Sequence, residues 1–181
     1  FGLGSPTGID FPGEVSGDIS HLEKHREIDF ATASFGQGIA VTPLQLASAV
    51  AAIANGGVLM RPYLGEKIID AAGNEKLREP EEVRRVVSRE AAETVTTMLV
   101  CAVRKSSENH AKIPGYFVAA KSGTAQIPSK GGYSDDVIHS FIGYVPAFNP
   151  RLLVFLELVR PTGARFAVAT LSQGFHDIAK Y

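Results

Sequence analysis

Lys121, Ser122, Gly123 and Thr124 stand in succession, after the apolar run Tyr116, Phe117, Val118, Ala119 and Ala120 and before Ala125 and Gln126. The run has the composition of a strand. A strand sends alternate side chains to opposite faces, so Ser122 and Thr124 present two hydroxyl donors on one side. Lys121 supplies fixed positive charge, and Gly123 removes the side chain that would hold a substrate backbone away. Together these groups suit a carboxylate, and an extended strand carrying them suits the C-terminus of a peptide. A Lys-[Ser/Thr]-Gly-[Ser/Thr] tetrapeptide arises by chance in roughly one chain in a hundred of this length, so it does not stand alone as a pointer.

The other reactive residue types give weaker patterns. Ser122 is a poor nucleophile, since a serine needs a base within hydrogen-bond reach and Lys121 falls on the opposite face of the strand. His139 and Ser140 are adjacent and face apart for the same reason, which makes them structural. His21 and His25 are four apart, but no third ligand follows at a metal-site spacing, so both read as solvated residues and no metal or other cofactor is expected. Gly36-Gln37-Gly38 lacks the pattern of a dinucleotide loop and reads as a backbone turn. Cys101 falls in a helical apolar pattern as a small buried hydrophobe with no partner for an internal disulfide.

The elements around the tetrapeptide follow from periodicity and punctuation. Residues 1–14 are rich in Gly and Pro and predict a structured loop; 18–33 is polar and ambiguous between helix and loop. A helix over 43–55 is marked by Thr42 as N-cap, Pro43 at the first position, Gln45 closing a capping box and Gly56 at the left-handed end, with Leu46, Val50, Ile53 and Ala54 as its apolar positions. Residues 58–64 and 67–70 predict short strands, the second running into a turn at Ala72-Gly73-Asn74. Ser88 caps a second helix over 89–104 with Ala92, Val95, Met98, Leu99 and Ala102 as its stripe. Strands follow over 116–127, 139–147 and 152–160, and the short link 148–151 makes the last pair antiparallel. A helix over 167–181, with Val168, Leu171, Phe175 and Ile178 recurring at helical spacing, ends the chain.

The tetrapeptide lies within a longer match. The segments Phe1 to Glu14 (FGLGSPTGIDFPGE), Ala33 to Leu46 (ASFGQGIAVTPLQL), Ala54 to Gly57 (ANGG), Pro114 to Tyr116 (PGY), Lys121 to Gln126 (KSGTAQ) and Ser140 to Pro146 (SFIGYVP) resemble the transpeptidase domain of class B penicillin-binding proteins. The resemblance covers nearly the whole chain in one order, and the segment beginning at Ser34 is similar to the septal, cell-division branch. It implies a mixed α/β class with the β-lactamase/transpeptidase-like fold, an antiparallel sheet flanked by helices, of which residues 1–181 are the C-terminal part of one domain. Three motifs define that family: Ser-x-x-Lys, Ser-x-Asn and Lys-[Ser/Thr]-Gly. No serine in this chain stands three places before a lysine, so the nucleophile is expected upstream. Ser107-Glu108-Asn109 has the letters of the middle motif but sits just before Lys121 and reads as a solvated turn. Ser134-Asp135-Asp136 follows Lys121, in the wrong order, and reads as part of a Gly-rich loop.

The resemblance implies a D,D-transpeptidase that forms a serine acyl-enzyme with the D-Ala-D-Ala end of a peptidoglycan stem peptide and is inhibited by β-lactams. Lys121 and Thr124 are then catalytic, Lys121 through its charge and Thr124 through a backbone N–H in the oxyanion hole. Ser122, Gly123 and Thr124 bind the substrate. The expected partners are the stem peptide, β-lactams, the upstream segment of the same protein and cell-division proteins. The expected location is the extracytoplasmic face of a bacterial membrane, with an N-terminal anchoring helix upstream of Phe1. Alternatives are a D,D-carboxypeptidase, a β-lactamase, or a non-catalytic β-lactam sensor or division scaffold.

Bulk properties exclude other classes. The 181 residues carry a net charge of −1 with 45% hydrophobic and 20% charged residues, enough for one core and ordinary for a globular domain. The pair Arg84 and Arg85 is diluted by Glu79, Glu81 and Glu82, so no nucleic-acid partner is expected. No run of eighteen apolar residues or signal peptide is present, and the chain reads as an excised or processed piece. A sheet separated from its neighbouring strands leaves unpaired edge groups, so the isolated piece is expected to associate or to depend on the upstream segment.

Overall fold

A computed structural model of the chain describes residues 1–180 and divides into two compact units, Phe1–Ala52 with Gly57–Val87, and Ile53–Gly56 with Ser88 onward.

In the first unit, two carboxylates, the half-buried Glu14 and the exposed Asp10, organise the Gly/Pro-rich loop that the composition predicts. Glu14 Oε1 accepts the Thr7 N–H and Thr7 hydroxyl, each at 2.6 Å, and Oε2 accepts the Gly8 N–H at 3.0 Å. Asp10 accepts the Leu64 N–H at 2.7 Å and the Gly65 N–H at 3.3 Å, and pairs with Arg78 at 2.8 Å. The ambiguous stretch resolves into a 3-10 turn, Ser20–Lys24, and the short helix α1, Glu27–Ala33. His21 lies in the turn, and His25 ends it with a left-handed φ of 51°, so the two share no helix face. The described residues contain no cluster of three His, Cys, Asp or Glu fit to hold a metal.

Helix α2, Pro43–Ala54, starts on the expected capping box: Thr42 Oγ1 accepts the Gln45 N–H at 3.1 Å and Gln45 Oε1 accepts the Thr42 N–H at 2.9 Å. Its buried positions are Gln45, Ala49 and Ala52, rather than Leu46, Val50, Ile53 and Ala54, which are half-buried. The reason is that Gln45 is satisfied at both ends, its Nε2 donating to Ser5 O at 2.7 Å, and a satisfied amide buries without penalty. Strand β1, Val58–Met60, is shorter than expected. β2, Lys67–Ile69, and β3, Glu75–Leu77, form the peripheral hairpin, its turn closed by Asp70 Oδ1 accepting the Ala72 and Asn74 N–H groups at 2.9 Å. β1 pairs antiparallel with β4, Glu82–Arg85, a strand its charged composition conceals.

In the second unit, Ser88 Oγ accepts the Ala91 N–H at 3.1 Å and opens α3, Arg89–Lys105. The sheet is β5, Ala119–Ser129, β6, Gly132–Val145, and β7, Leu152–Val159, in the order β5-β6-β7 with both pairs antiparallel. α4, Ala167–Ala179, follows; Tyr181, the last residue of the expected helix, lies outside the described residues. Residues 116–118 precede the strand rather than belong to it. Ser134, Asp135 and Asp136 lie within β6 and not in a loop, because Gly131, at φ 91°, lets a tight turn join two long strands. Of Ser107-Glu108-Asn109, the segment with the letters of the middle motif, Ser107 and Glu108 are exposed as expected, whereas Asn109 is buried and its Oδ1 accepts the Ala111 N–H at 3.0 Å.

The apolar stripe of α3 differs from the expected one. Ala92, Thr96, Val100 and Val103 are buried, while Val95 and Met98 are 37% and 63% exposed and Cys101 is exposed rather than buried. A threonine takes the core position: Thr96 Oγ1 donates to Ala92 O at 2.9 Å and meets the buried Tyr144 hydroxyl at 2.7 Å. α4 covers the sheet face of Phe141, whose ring lies 5.3 Å from that of Phe175. Gly143 makes that approach possible, since a Cβ there would come 2.5 Å from Ala120 Cβ and 3.0 Å from the Phe175 ring. In α4, Leu171 and Phe175 are buried as expected, Val168 is half-buried, and Ile178 is 48% exposed.

Candidate active-site strand

Strand β5 lies at the end of its sheet, so one of its edges meets no strand among the described residues. Which residues turn their backbone to that edge follows from the ladder. The Arg160 N–H donates to Val137 O at 2.9 Å, so odd-numbered residues of β6 turn to β7 and even-numbered ones turn to β5. The register pairs Ile142 with Lys121 and Ser140 with Gly123. Lys121 and Gly123 therefore bond to β6, and Ser122 and Thr124 direct their N–H and C=O groups outward. The Lys121 side chain agrees with this: it is exposed and its Nζ donates to the outward Ser122 O at 2.6 Å. A cation, an outward Thr124 N–H and the Ser122 and Thr124 side chains thus gather along one open edge.

Ser122 and Thr124 share a face, as the alternation predicts, with Phe141 and His139 opposite them on β6. Ser122 is half-buried and its hydroxyl has no hydrogen bond among the described residues. Thr124 Oγ1 accepts the Ala167 N–H at 3.1 Å from the first residue of α4. Its own proton remains free to donate. Gly123 has a reason the sequence does not disclose, because a Cβ there would stand 2.6 Å from Ser140 Oγ on the other face. His139 is fully buried, Ser140 is half-buried on the opposite face, and the two form no pair. The tie between Thr124 and Ala167 spans 43 residues and leaves no local signal in the sequence.

An edge strand whose outward groups are a fixed cation, hydroxyls and a backbone N–H accommodates an extended peptide ending in a carboxylate. The chain belongs to the penicillin-binding protein transpeptidase domain family, whose match spans residues 1–179. Stage V sporulation protein D of Bacillus subtilis is 38% identical over 90% of this chain and 26% of that protein. The penicillin-binding protein PbpB of Mycobacterium tuberculosis is 36% identical over 89% of this chain and 25% of that protein. The crystal structure of penicillin-binding protein 3 from M. tuberculosis in complex with aztreonam superposes with a TM-score of 0.86 at 32% identity, covering 98% of this chain and 42% of that one. The mixed helix and sheet architecture is that of the β-lactamase/transpeptidase fold. The chain spans about a quarter of the length of these curated relatives.

Proposed function

We propose that residues 1–181 are the C-terminal part of one penicillin-binding transpeptidase domain, in a protein that cross-links peptidoglycan stem peptides through a serine acyl-enzyme. The observation that carries this reading is the Lys-Ser-Gly-Thr strand with its Ser122 and Thr124 backbone groups directed to an open sheet edge, in a chain of this family. No Ser-x-x-Lys is present in these residues, so the nucleophile belongs to polypeptide outside them. The serine Oγ attacks the carbonyl of the D-Ala-D-Ala bond, the C–N bond breaks, and the terminal D-Ala leaves with a proton. An amine of a neighbouring stem then takes the acyl group and restores the serine.

In this reading Ser122 and Thr124 hold the substrate carboxylate through their hydroxyls, beside the charge of Lys121. The Thr124 N–H is one oxyanion-hole donor, a contribution on the order of a hundredfold in rate. β-Lactams occupy the same site, in keeping with the aztreonam bound to the similar M. tuberculosis protein. A membrane anchor, an extracytoplasmic site of action and cell-division partners belong to the same proposal; no helix of the described residues is long and apolar enough to cross a membrane. Peptide mapping of the full-length protein after reaction with benzylpenicillin tests it. The adduct is expected on a serine outside residues 1–181, and an adduct on Ser122 or Ser140 overturns the assignment.

A further inference from the structure

Behind Thr124 runs a connected set of polar groups that the acyl-transfer reading does not use. Thr124 of β5 and His139 of β6 stand directly opposite each other. The Ala167 N–H donates to Thr124 Oγ1 at 3.1 Å, Thr170 Oγ1 donates to Ala167 O at 3.1 Å, and Thr170 Oγ1 lies 3.0 Å from His139 Nδ1. A hydroxyl has one proton to give. Since Thr170 gives it to the Ala167 carbonyl, its oxygen accepts from His139, and Nδ1 carries the hydrogen of the imidazole. Phe166, which precedes α4, supplies no side-chain cap. Thr124 therefore provides, from the sheet, an acceptor that the start of the helix otherwise lacks.

His139 is 0% exposed, and its Nε2 has no hydrogen-bond partner among the described residues. Burying an unsatisfied ring nitrogen costs stability that an apolar side chain would not. What the imidazole gives in return is the Nδ1 hydrogen bond. We propose that His139 is a positioning residue for the active-site strand: through Thr170 and the first turn of α4 it holds Thr124, and so keeps the Thr124 N–H aimed at the open edge. This inference rests on the transpeptidase reading above.

The test uses the full-length protein and two readouts: acylation by a fluorescent penicillin, resolved into affinity and acylation rate, and hydrogen–deuterium exchange over residues 161–171. His139→Leu and the near-isosteric Thr170→Val are each expected to speed exchange there and to slow acylation roughly tenfold at unchanged affinity, the signature of a displaced group rather than a lost contact. His139→Asn, whose amide N–H can replace Nδ1–H, should return the rate to within about threefold of the wild type. The double variant His139→Leu/Thr170→Val should be no slower than either single one, because both cut the same connection. Faster exchange with unchanged acylation overturns the positioning role, as does a His139→Asn protein as slow as His139→Leu. Unchanged exchange in both single variants overturns the hydrogen-bonded connection itself, whereas a wild-type protein that forms no adduct overturns the transpeptidase reading beneath it.

Discussion

The hydroxyls of Thr96 and Tyr144 meet at 2.7 Å in a site where the two residues are 5% and 0% exposed. Thr96 Oγ1 gives its proton to Ala92 O, so Tyr144 is the donor of the pair. The two possible deletions are then unequal. Tyr144→Phe leaves Thr96 bonded to Ala92 and loses a single hydrogen bond, about 0.5–1.5 kcal/mol. Thr96→Val strands the tyrosine O–H without an acceptor, at a cost of about 1–3 kcal/mol. At roughly 2–4 °C per kcal/mol for a chain of 181 residues, Tyr144→Phe lowers Tm by about 1–6 °C and Thr96→Val by about 2–12 °C. Adding Tyr144→Phe to Thr96→Val should recover stability, since it removes the stranded group. Urea unfolding of the three variants at constant m-value measures this. A Thr96→Val protein more stable than Tyr144→Phe, or a double variant whose losses simply add, refutes the donor assignment. Burial also pushes the Tyr144 hydroxyl up from its usual pKa. Its folded pKa exceeds the unfolded one, so its contribution is whole below about 10 and is lost as pH rises through the folded value, a loss that Tyr144→Phe abolishes.

Gly123→Ala should cost about 1–3 kcal/mol by overpacking against Ser140 Oγ, and a second change, Ser140→Ala, should relieve most of it; melting temperatures showing no relief would mean that Ser140 is not the obstacle. Asp10 is held below the ordinary carboxylate range, first by the Leu64 N–H and further by the Gly65 N–H and Arg78. Its folded pKa lies under the unfolded one, so the stability it confers is present above about pH 4 and fades as pH falls through the folded value. The gap in unfolding midpoint between the wild type and Asp10→Asn should therefore close on acidification, and a gap that persists at the acid end contradicts the assignment.

Local chemistry was legible where partners are near in sequence. The Thr42–Gln45 box, the Ser88 cap and the alternation of Ser122 and Thr124 are each set by residues within three positions, and each forms as read. Contacts that span the chain were not legible. Hydrophobic periodicity counts Thr96 and Gln45 as polar and so turns α2 and α3 by about one position, because nothing nearby reveals that Tyr144 and Ser5 satisfy them. The same blindness hides β4, four residues of mostly charged sequence whose pairing with β1 is fixed by the partner and not by propensity. At the site, the residue types pointed to carboxylate chemistry and the resemblance supplied the family. The outward direction of the Thr124 N–H required the register with β6, and the Thr124–Ala167 tie required the fold.

The claim that this strand forms a penicillin-binding site rests most directly on Lys121. Its side chain is exposed, and its recorded bond is to the neighbouring Ser122 carbonyl, so its removal takes away charge and little packing. The decisive measurement is the acylation rate of the full-length Lys121→Ala protein with a fluorescent penicillin, recorded beside its melting temperature. The account predicts a rate lower by on the order of a hundredfold with stability changed by no more than about 0.5 kcal/mol. A Lys121→Ala protein that is acylated as fast as the wild type contradicts it.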